Sequence, residues 1–231
     1  YDVKLVNPKF TLTSDTLRYN TASKIANIVG PSNIEGDNNH IYSELGFYNT
    51  QIGQAELLNR SVLTNEGKQL VGDSLFYDRN KSFGEAFDNV VFTDTINKNQ
   101  LTGNYCYYNE QTKYAIATDS AMVVDYSQGD SLFLHGDTLQ LLTFFLDTDS
   151  MYRETRAYHK VRFFRTDIQG VCDSLVFSQK DTCLTMYRDP ILWNGNQQLL
   201  GEEVMIYMND STIDWAHIHN QTLSVEKLDT T

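Results

Sequence analysis

The stretch Val71-Gly72-Asp73-Ser74-Leu75-Phe76-Tyr77-Asp78 decides the fold. On a β-strand, residues two apart share a face, so Asp73, Leu75 and Tyr77 point one way while Ser74 and Phe76 point the other. The closing aspartate hydrogen-bonds nearby backbone and favours a turn. This acid–apolar–aromatic spacing recurs at Asp15-Leu17-Tyr19, Asp137-Leu139-Leu141 and Asp173-Leu175-Phe177. Weaker copies are Glu44-Gly46-Tyr48, Asn104-Cys106-Tyr108 and Glu202-Val204-Ile206. The seven starting positions are separated by 29, 29, 31, 33, 36 and 29 residues.

A second series runs half a period behind the first. Its centres are Gly30, Asn59, Asn89, Ala121, Val161, Asp189 and Asn220, spaced by 29, 30, 32, 40, 28 and 31 residues. Four residues before five of them stands an alanine: Ala26, Ala55, Ala117, Ala157 and Ala216. Glu85 and Thr185 are the exceptions. Two interleaved series of one period imply a two-strand unit repeated about seven times. The first strand of several units ends in an aromatic and a turn former, as in Tyr19-Asn20, Tyr48-Asn49, Tyr77-Asp78 and Tyr108-Asn109. No segment sustains an apolar helical period with matching caps. The fold class is therefore all-β, with about fourteen strands.

Stacked hairpins must share a continuous apolar face that no single unit buries alone. Leu17, Tyr19, Leu75, Tyr77, Tyr108, Leu139, Leu141, Leu175 and Phe177 are the candidates to line that interior, in a jelly roll or a sandwich. Composition limits the ligands. The chain has 231 residues, 41% hydrophobic, with 30 acidic against 18 basic side chains and a net charge of −12. Nucleic acid is excluded as the main partner, because phosphate binding requires clustered cations. No apolar run is long enough for a membrane-spanning helix. The opening at Tyr1, without methionine or signal segment, reads as a processed protein or an excised fragment. Cys106, Cys172 and Cys183 show no metal-ligand spacing. A turn at Ser178–Asp181 would set Cys172 opposite Tyr187 rather than Cys183, so no disulfide is expected in that hairpin.

Serial hairpins with G-D-[ST]-L-x-[FY] on one strand and A-x-x-x-[GN]-[PV] on the next resemble OstA-like proteins. These belong to the lipopolysaccharide-transport superfamily that includes LptA and the periplasmic domain of LptD. Val71 to Tyr77, Ala26-Asn27-Ile28-Val29-Gly30-Pro31 and Tyr187-Arg188-Asp189-Pro190-Ile191-Leu192-Trp193 carry the resemblance. It spans about Lys9 to Leu228 and is strongest toward the longer, Bacteroidetes-type members, so the 231 residues read as one OstA-like domain cut from a longer chain. The resemblance implies an elongated, twisted, open β-jelly roll in the periplasm. It also implies lipopolysaccharide or another acyl lipid held in the interior, and similar jelly rolls as partners through edge strands. Phe10 to Tyr19 and Ile213 to Val225 are the candidate edges. The alternative is a structural or adaptor module that assembles end to end without lipid cargo. Neither reading needs a cofactor.

Other motifs have plainer readings. Gly72-Asp73-Ser74-Leu75 and Gly129-Asp130-Ser131-Leu132 spell the esterase signature, and Asp214-Trp215-Ala216-His217 matches its D-x-x-H. A nucleophilic serine needs a base and an oxyanion hole, usually where a strand meets a helix, and here the serine sits mid-strand in a repeat. No enzyme is expected. His217 and His219 share a strand face, but no third ligand stands at recognisable spacing, so no metal is expected. The repeated acids lack the oxygen-rich loop that calcium needs and are read as turn or edge residues. Arg153, Arg156, Lys160, Arg162 and Arg165 form the one basic stretch. Arg156, Lys160 and Arg162 share even parity and are candidates for a head-group phosphate, if the strand is regular.

Overall fold

The computed structural model describes residues 3–8, 10–36, 39–127, 129–209 and 212–227. Every regular element among them is a β-strand, and each strand pairs antiparallel with its neighbours. The chain divides into two compact units, Tyr1–Gln111 and Thr112–Thr231. In the first, β1 (Val3–Asn7), β2 (Phe10–Asn20), β3 (Ile25–Gly36), β4 (Asn39–Asn49), β5 (Gln54–Asn65), β6 (Lys68–Asp78), β7 (Phe83–Asp94) and β8 (Asn99–Asn109) form a meander, each strand pairing with the next.

The second unit starts the same way, with β9 (Tyr114–Asp125), β10 (Leu132–Phe144), β11 (Tyr152–Phe164) and β12 (Ile168–Ser178). Its last three long strands are each broken in two. β13 (Cys183–Tyr187) and β14 (Ile191–Asn194) both pair with β12. β15 (Gln197–Leu200) pairs with β14, and β16 (Glu203–Asn209) with β13. β17 (Thr212–His219) pairs with β16, and β18 (Leu223–Glu226) with β15. The expected number of about fourteen strands is thereby corrected to 18 among the described residues. The fourteen long strands are present, but three are split, and β1 is added at the start.

The splits occur where every unit turns a corner. Backbone φ is positive at the successive pairs Asn59–Arg60, Asp88–Asn89, Asp119–Ser120, His159–Lys160, Arg188–Asp189 and Asn220–Gln221, and at Gly30. Left-handed geometry costs an L-residue about 1–2 kcal/mol, less for Asn and Asp, so something must offset it. The offset is the acidic series. Between Leu58↔Ser74 and Ser61↔Gly72 the two residues Asn59 and Arg60 face the single residue Asp73, a β-bulge. Asp73 accepts from Arg60 at 3.1 Å and from Asn89 on the far side at 2.6 Å. Asp173 likewise takes His159 at 3.3 Å and Arg188 at 3.1 Å, and Glu202 takes Asn220 at 3.0 Å and Gln221 at 2.8 Å. The two sequence series share a period because they are opposite sides of one corner. The centres placed at Ala121 and Val161 fall one residue late: both are buried residues that follow the left-handed pair.

The residue before each acid is small: Ser14, Ser43, Gly72, Gly103, Gly136, Cys172 and Gly201. A bulky side chain there would fill the inside of the bend. Where the corner residues are serines, their buried hydroxyls take up polar groups freed by the bulge. Ser32 donates to Ser14 Oγ at 2.7 Å and Ser61 to Ser43 Oγ at 2.9 Å, while Ser43 reaches the Leu45 carbonyl at 2.9 Å.

Hairpin ends follow the expected turn chemistry. Asn20 Oδ1 accepts from Ala22 and Ser23, Asn49 Oδ1 from Gln51 and Ile52, and Asp78 Oδ1 from Asn80 and Lys81. The hairpin after Ser178 differs in register from expectation. Ser178 pairs with Cys183 and Ser174 with Tyr187, so Cys172 does not face Tyr187. The connection is a four-residue turn, two residues longer than a tight turn, closed by Thr182 at φ 50 as the turn after Asp78 is closed by Ser82 at φ 52. All three cysteines are free and buried, and burial pushes Cys106 up to about 11 and Cys172 up to about 12.

The acid column gives a pH prediction. Hydrogen bonds from Asn89 and then Arg60 hold Asp73 below its ordinary 3.8, and those from His159 and Arg188 do the same for Asp173. A depressed carboxylate contributes stability that is complete above its unfolded value and lost as pH falls through the folded one. Thermal unfolding of Asp73→Ala should therefore show a lowered midpoint at pH 7 and a difference from the parent that narrows as pH falls below the ordinary carboxylate value of 3.8. A gap that persists unchanged at pH 2 would assign the loss to packing instead.

Candidate functional site

Register places the inner residues in rows that run across the strands. In the first unit one row is Leu17–Ile28–Gly46–Leu57–Leu75–Ala86–Cys106. Next to it runs Tyr19–Ala26–Tyr48–Ala55–Tyr77–Gly84–Tyr108, tyrosine alternating with alanine or glycine. Beyond the corner a third row follows: Leu12–Ile34–Ile41–Leu63–Leu70–Phe92–Leu101. Phe10, beside that third row, meets Tyr48 edge to face at 5.3 Å, so the strands fold over and the rows face each other.

The second unit repeats the plan with other residues. Its rows are Ala117–Leu139–Ala157–Leu175–Met186–Val204–Ile218 and Ala115–Leu141–Thr155–Phe177–Leu184–Ile206–Ala216. Beyond the corner stand Val123, Leu134, Phe163, Gly170, Leu192 and Leu199. Gly170 lies under the Phe163 ring and close to the Met186 methyl, so a Cβ there would meet both within 3 Å.

The rows nearest the corner are sealed: Ile28, Leu57, Leu75, Leu139, Leu175, Met186 and Val204 are buried. In the rows further out Leu12, Phe163, Leu192 and Ile206 are buried, but Ile34, Ile41, Leu63, Leu70, Phe92, Tyr48, Tyr77, Leu141, Phe177 and Leu184 are only half covered. In the tyrosine row each tyrosine stands beside one of the small residues Ala26, Ala55 and Gly84. The inner candidates are thus divided by the structure. Leu75, Leu139 and Leu175 are core; Leu17, Tyr77, Leu141 and Phe177 are half-buried; Tyr19 and Tyr108 are 39% and 42% exposed. Tyr19 is uncovered because β1 (Val3–Asn7) pairs with Phe10 to Ser14, so that among the described residues nothing pairs with that edge of the far end of β2. Its hydroxyl reaches Thr50 at 3.3 Å. Burial, followed by the Glu110 charge, raises the Tyr77 phenol above its ordinary value.

The basic stretch is crossed by the corner at His159–Lys160: Arg156 and Arg162 keep the outward parity on either side of it, since Ala157, Val161 and Phe163 are buried, and Lys160 lies in the left-handed pair. Arg156 is held by Glu154 at 2.7 Å and Lys160 lies 3.6 Å from Asp137. Arg165 is taken by Asp167 at 2.5 Å. Arg162 is exposed, and it forms no ion pair among the described residues. Of the serines in the esterase-like motifs, Ser74 sits inside β6 between Leu58 and Phe87. Ser131 precedes β10, and its backbone N–H donates to Asp130 Oδ1 at 2.9 Å. No helix follows either serine among the described residues. A surface cavity of about 530 Å³ is lined by Tyr187, Arg188, Asp189, Glu202, Glu203 and His219 at the corner of the second unit.

Missed from the sequence was the third row. Its position beyond the corner reverses the parity on which the first reading relied: on β6, Leu75 and Tyr77 are inward but so are Gly72 and Leu70. The small residue before each acid was the available signal.

Comparison with known proteins gives three findings. Residues 1–57 match the family described as OstA-like protein. No curated protein matches the chain. Among solved structures, a similar one is LptH of Pseudomonas aeruginosa, described as the LptA-homologous periplasmic component of the conserved lipopolysaccharide transport device. It aligns with a TM-score of 0.44 and 12% identity over 70% of this chain and 95% of its own.

Proposed function

We propose, from the OstA-like character of residues 1–57, that the chain is a periplasmic, non-enzymatic protein of lipopolysaccharide transport and outer-membrane biogenesis. Its 231 residues act as one jelly-roll domain that holds acyl chains along the half-covered inner rows. The observation that supports this reading best is the alternation of tyrosine with Ala or Gly along the row Tyr19–Ala26–Tyr48–Ala55–Tyr77–Gly84–Tyr108. Such a row offers apolar walls with gaps between them, and an acyl chain filling the gaps removes the half-exposed surface from water at about 25 cal/mol per Å². The contact residues proposed are Leu17, Tyr77, Leu141 and Phe177, with Tyr19 and Tyr108 at exposed positions of their rows. Leu75, Leu139 and Leu175 form the floor. Arg162 is the cation proposed for a head-group phosphate, since Arg156 and Lys160 are engaged by acids.

The sealed rows beside the corner favour a second reading, a scaffold whose interior is filled by its own side chains. In either case, similar β-domains are proposed to join through the unpaired edges of the terminal strands. Native mass spectrometry after mild extraction separates the readings. Transport predicts a retained acyl-lipid mass that detergent exchange removes. A clean apo mass under every extraction condition would favour the scaffold.

A further inference from the structure

On the outer face of the last hairpin, Tyr207, Trp215, His217 and His219 form a continuous ladder. Tyr207 and Trp215 stack at 3.9 Å and 12°, Trp215 and His217 lie 6.4 Å apart, and His217 and His219 lie 4.1 Å apart between ring centroids. The strand period alone makes His217 and His219 neighbours on one face. The structure adds that their rings lie side by side, 30° from parallel, with both residues exposed. Glu203 pairs directly with His219 across the strands and Met205 with His217. No hydrogen bond or ion pair occupies either imidazole among the described residues. Of the other three histidines, His40 meets Asn33 at 3.1 Å, His159 meets Asp173 at 3.3 Å, and His135 has its Nδ1 buried inside the fold.

We propose that His217 and His219 together bind one divalent transition-metal ion of the copper, nickel or zinc type, independently of any lipid in the interior. Neutral imidazole is the preferred protein ligand for these ions, whereas calcium and magnesium require oxygen donors. Two rings on one rigid strand, packed against Trp215, lose little freedom on chelation. Among the described residues no group of three His, Cys, Asp or Glu closes a full cage. The remaining coordination positions therefore belong to water or to an exogenous ligand, and the site is open.

Trp215 is a built-in reporter, since bound Cu(II) quenches an indole at this range, and the second tryptophan, Trp193, lies on β14 away from the ladder. Tag-free protein titrated with Cu(II) at pH 7.5 should show saturable quenching at one equivalent. Electron paramagnetic resonance should show two coupled imidazole nitrogens. His217→Ala and His219→Ala should each weaken Cu(II) binding about tenfold or more, equal to about 1.4 kcal/mol. Trp215→Phe should abolish the quenching while calorimetry still detects the ion. Circular dichroism of each variant establishes that the fold is kept. Unchanged Cu(II) affinity in the folded double His variant, or a spectrum with a single nitrogen, would overturn the proposal.

Discussion

Replacing Gly46 by alanine should unfold or severely weaken the first unit, by about 3 kcal/mol or more. A Cβ at Gly46 would lie 2.3 Å from the Glu56 carbonyl oxygen and 3.0 Å from Leu57 Cα. Both are backbone atoms of the paired strand β5, so no rotamer change relieves the clash, and the ladder between β4 and β5 must part. Gly46 also occupies the apolar position of its repeat, where the other units carry Leu, Cys or Val. Urea denaturation should show a loss of the parent midpoint or a transition shifted by several tenths of a molar or more. Gly129→Ala, where an added Cβ meets nothing within 4 Å, should leave the midpoint unchanged. Equal stability of Gly46→Ala and the parent would mean that β4 and β5 are spaced differently.

The second large effect is expected at Leu175. It is 1% exposed and stands between Ala157 and Met186 in the sealed row of the second unit. Its neighbour Ala157 has no side chain to extend into the space left behind, so Leu175→Ala should cost about 3 kcal/mol, transfer and cavity terms together. Tyr19→Ala should cost well under about 1 kcal/mol, because Tyr19 is exposed and lacks a cross-strand neighbour on one side. The contrast tests the division between floor and rim. Similar losses at the two positions would mean that Tyr19 is covered in solution.

The strands, the hairpin turns and the acid series were legible because each is local. A period of two, a turn-forming Asn or Asp, and an acid at fixed spacing are read within one repeat. What the repeated acid does was not legible, since Asp73 acts between Arg60 on one neighbouring strand and Asn89 on the other. The reversal of inward parity on the acid-bearing strands hid the row from Leu12 to Leu101, because alternation carried through Asp73 would have turned Val71 inward instead of Leu70. On β11, which carries the two left-handed residues, inward parity is kept through the corner, so Arg156 and Arg162 both stay outward while Lys160 falls in the bend. The exposure of Tyr19 depended on the shortness of β1, a tertiary fact absent from its own repeat.

The acyl-chain account is tested most directly by light-activated cross-linking in cells. A benzophenone amino acid placed at Tyr77 or Phe177 would sit on the half-covered inner rows, and at Phe76 or Val176 on the opposite face of the same strands. The account predicts glycolipid adducts from Tyr77 and Phe177 and none from Phe76 and Val176. Adducts of equal yield from both faces, or from neither, would contradict it.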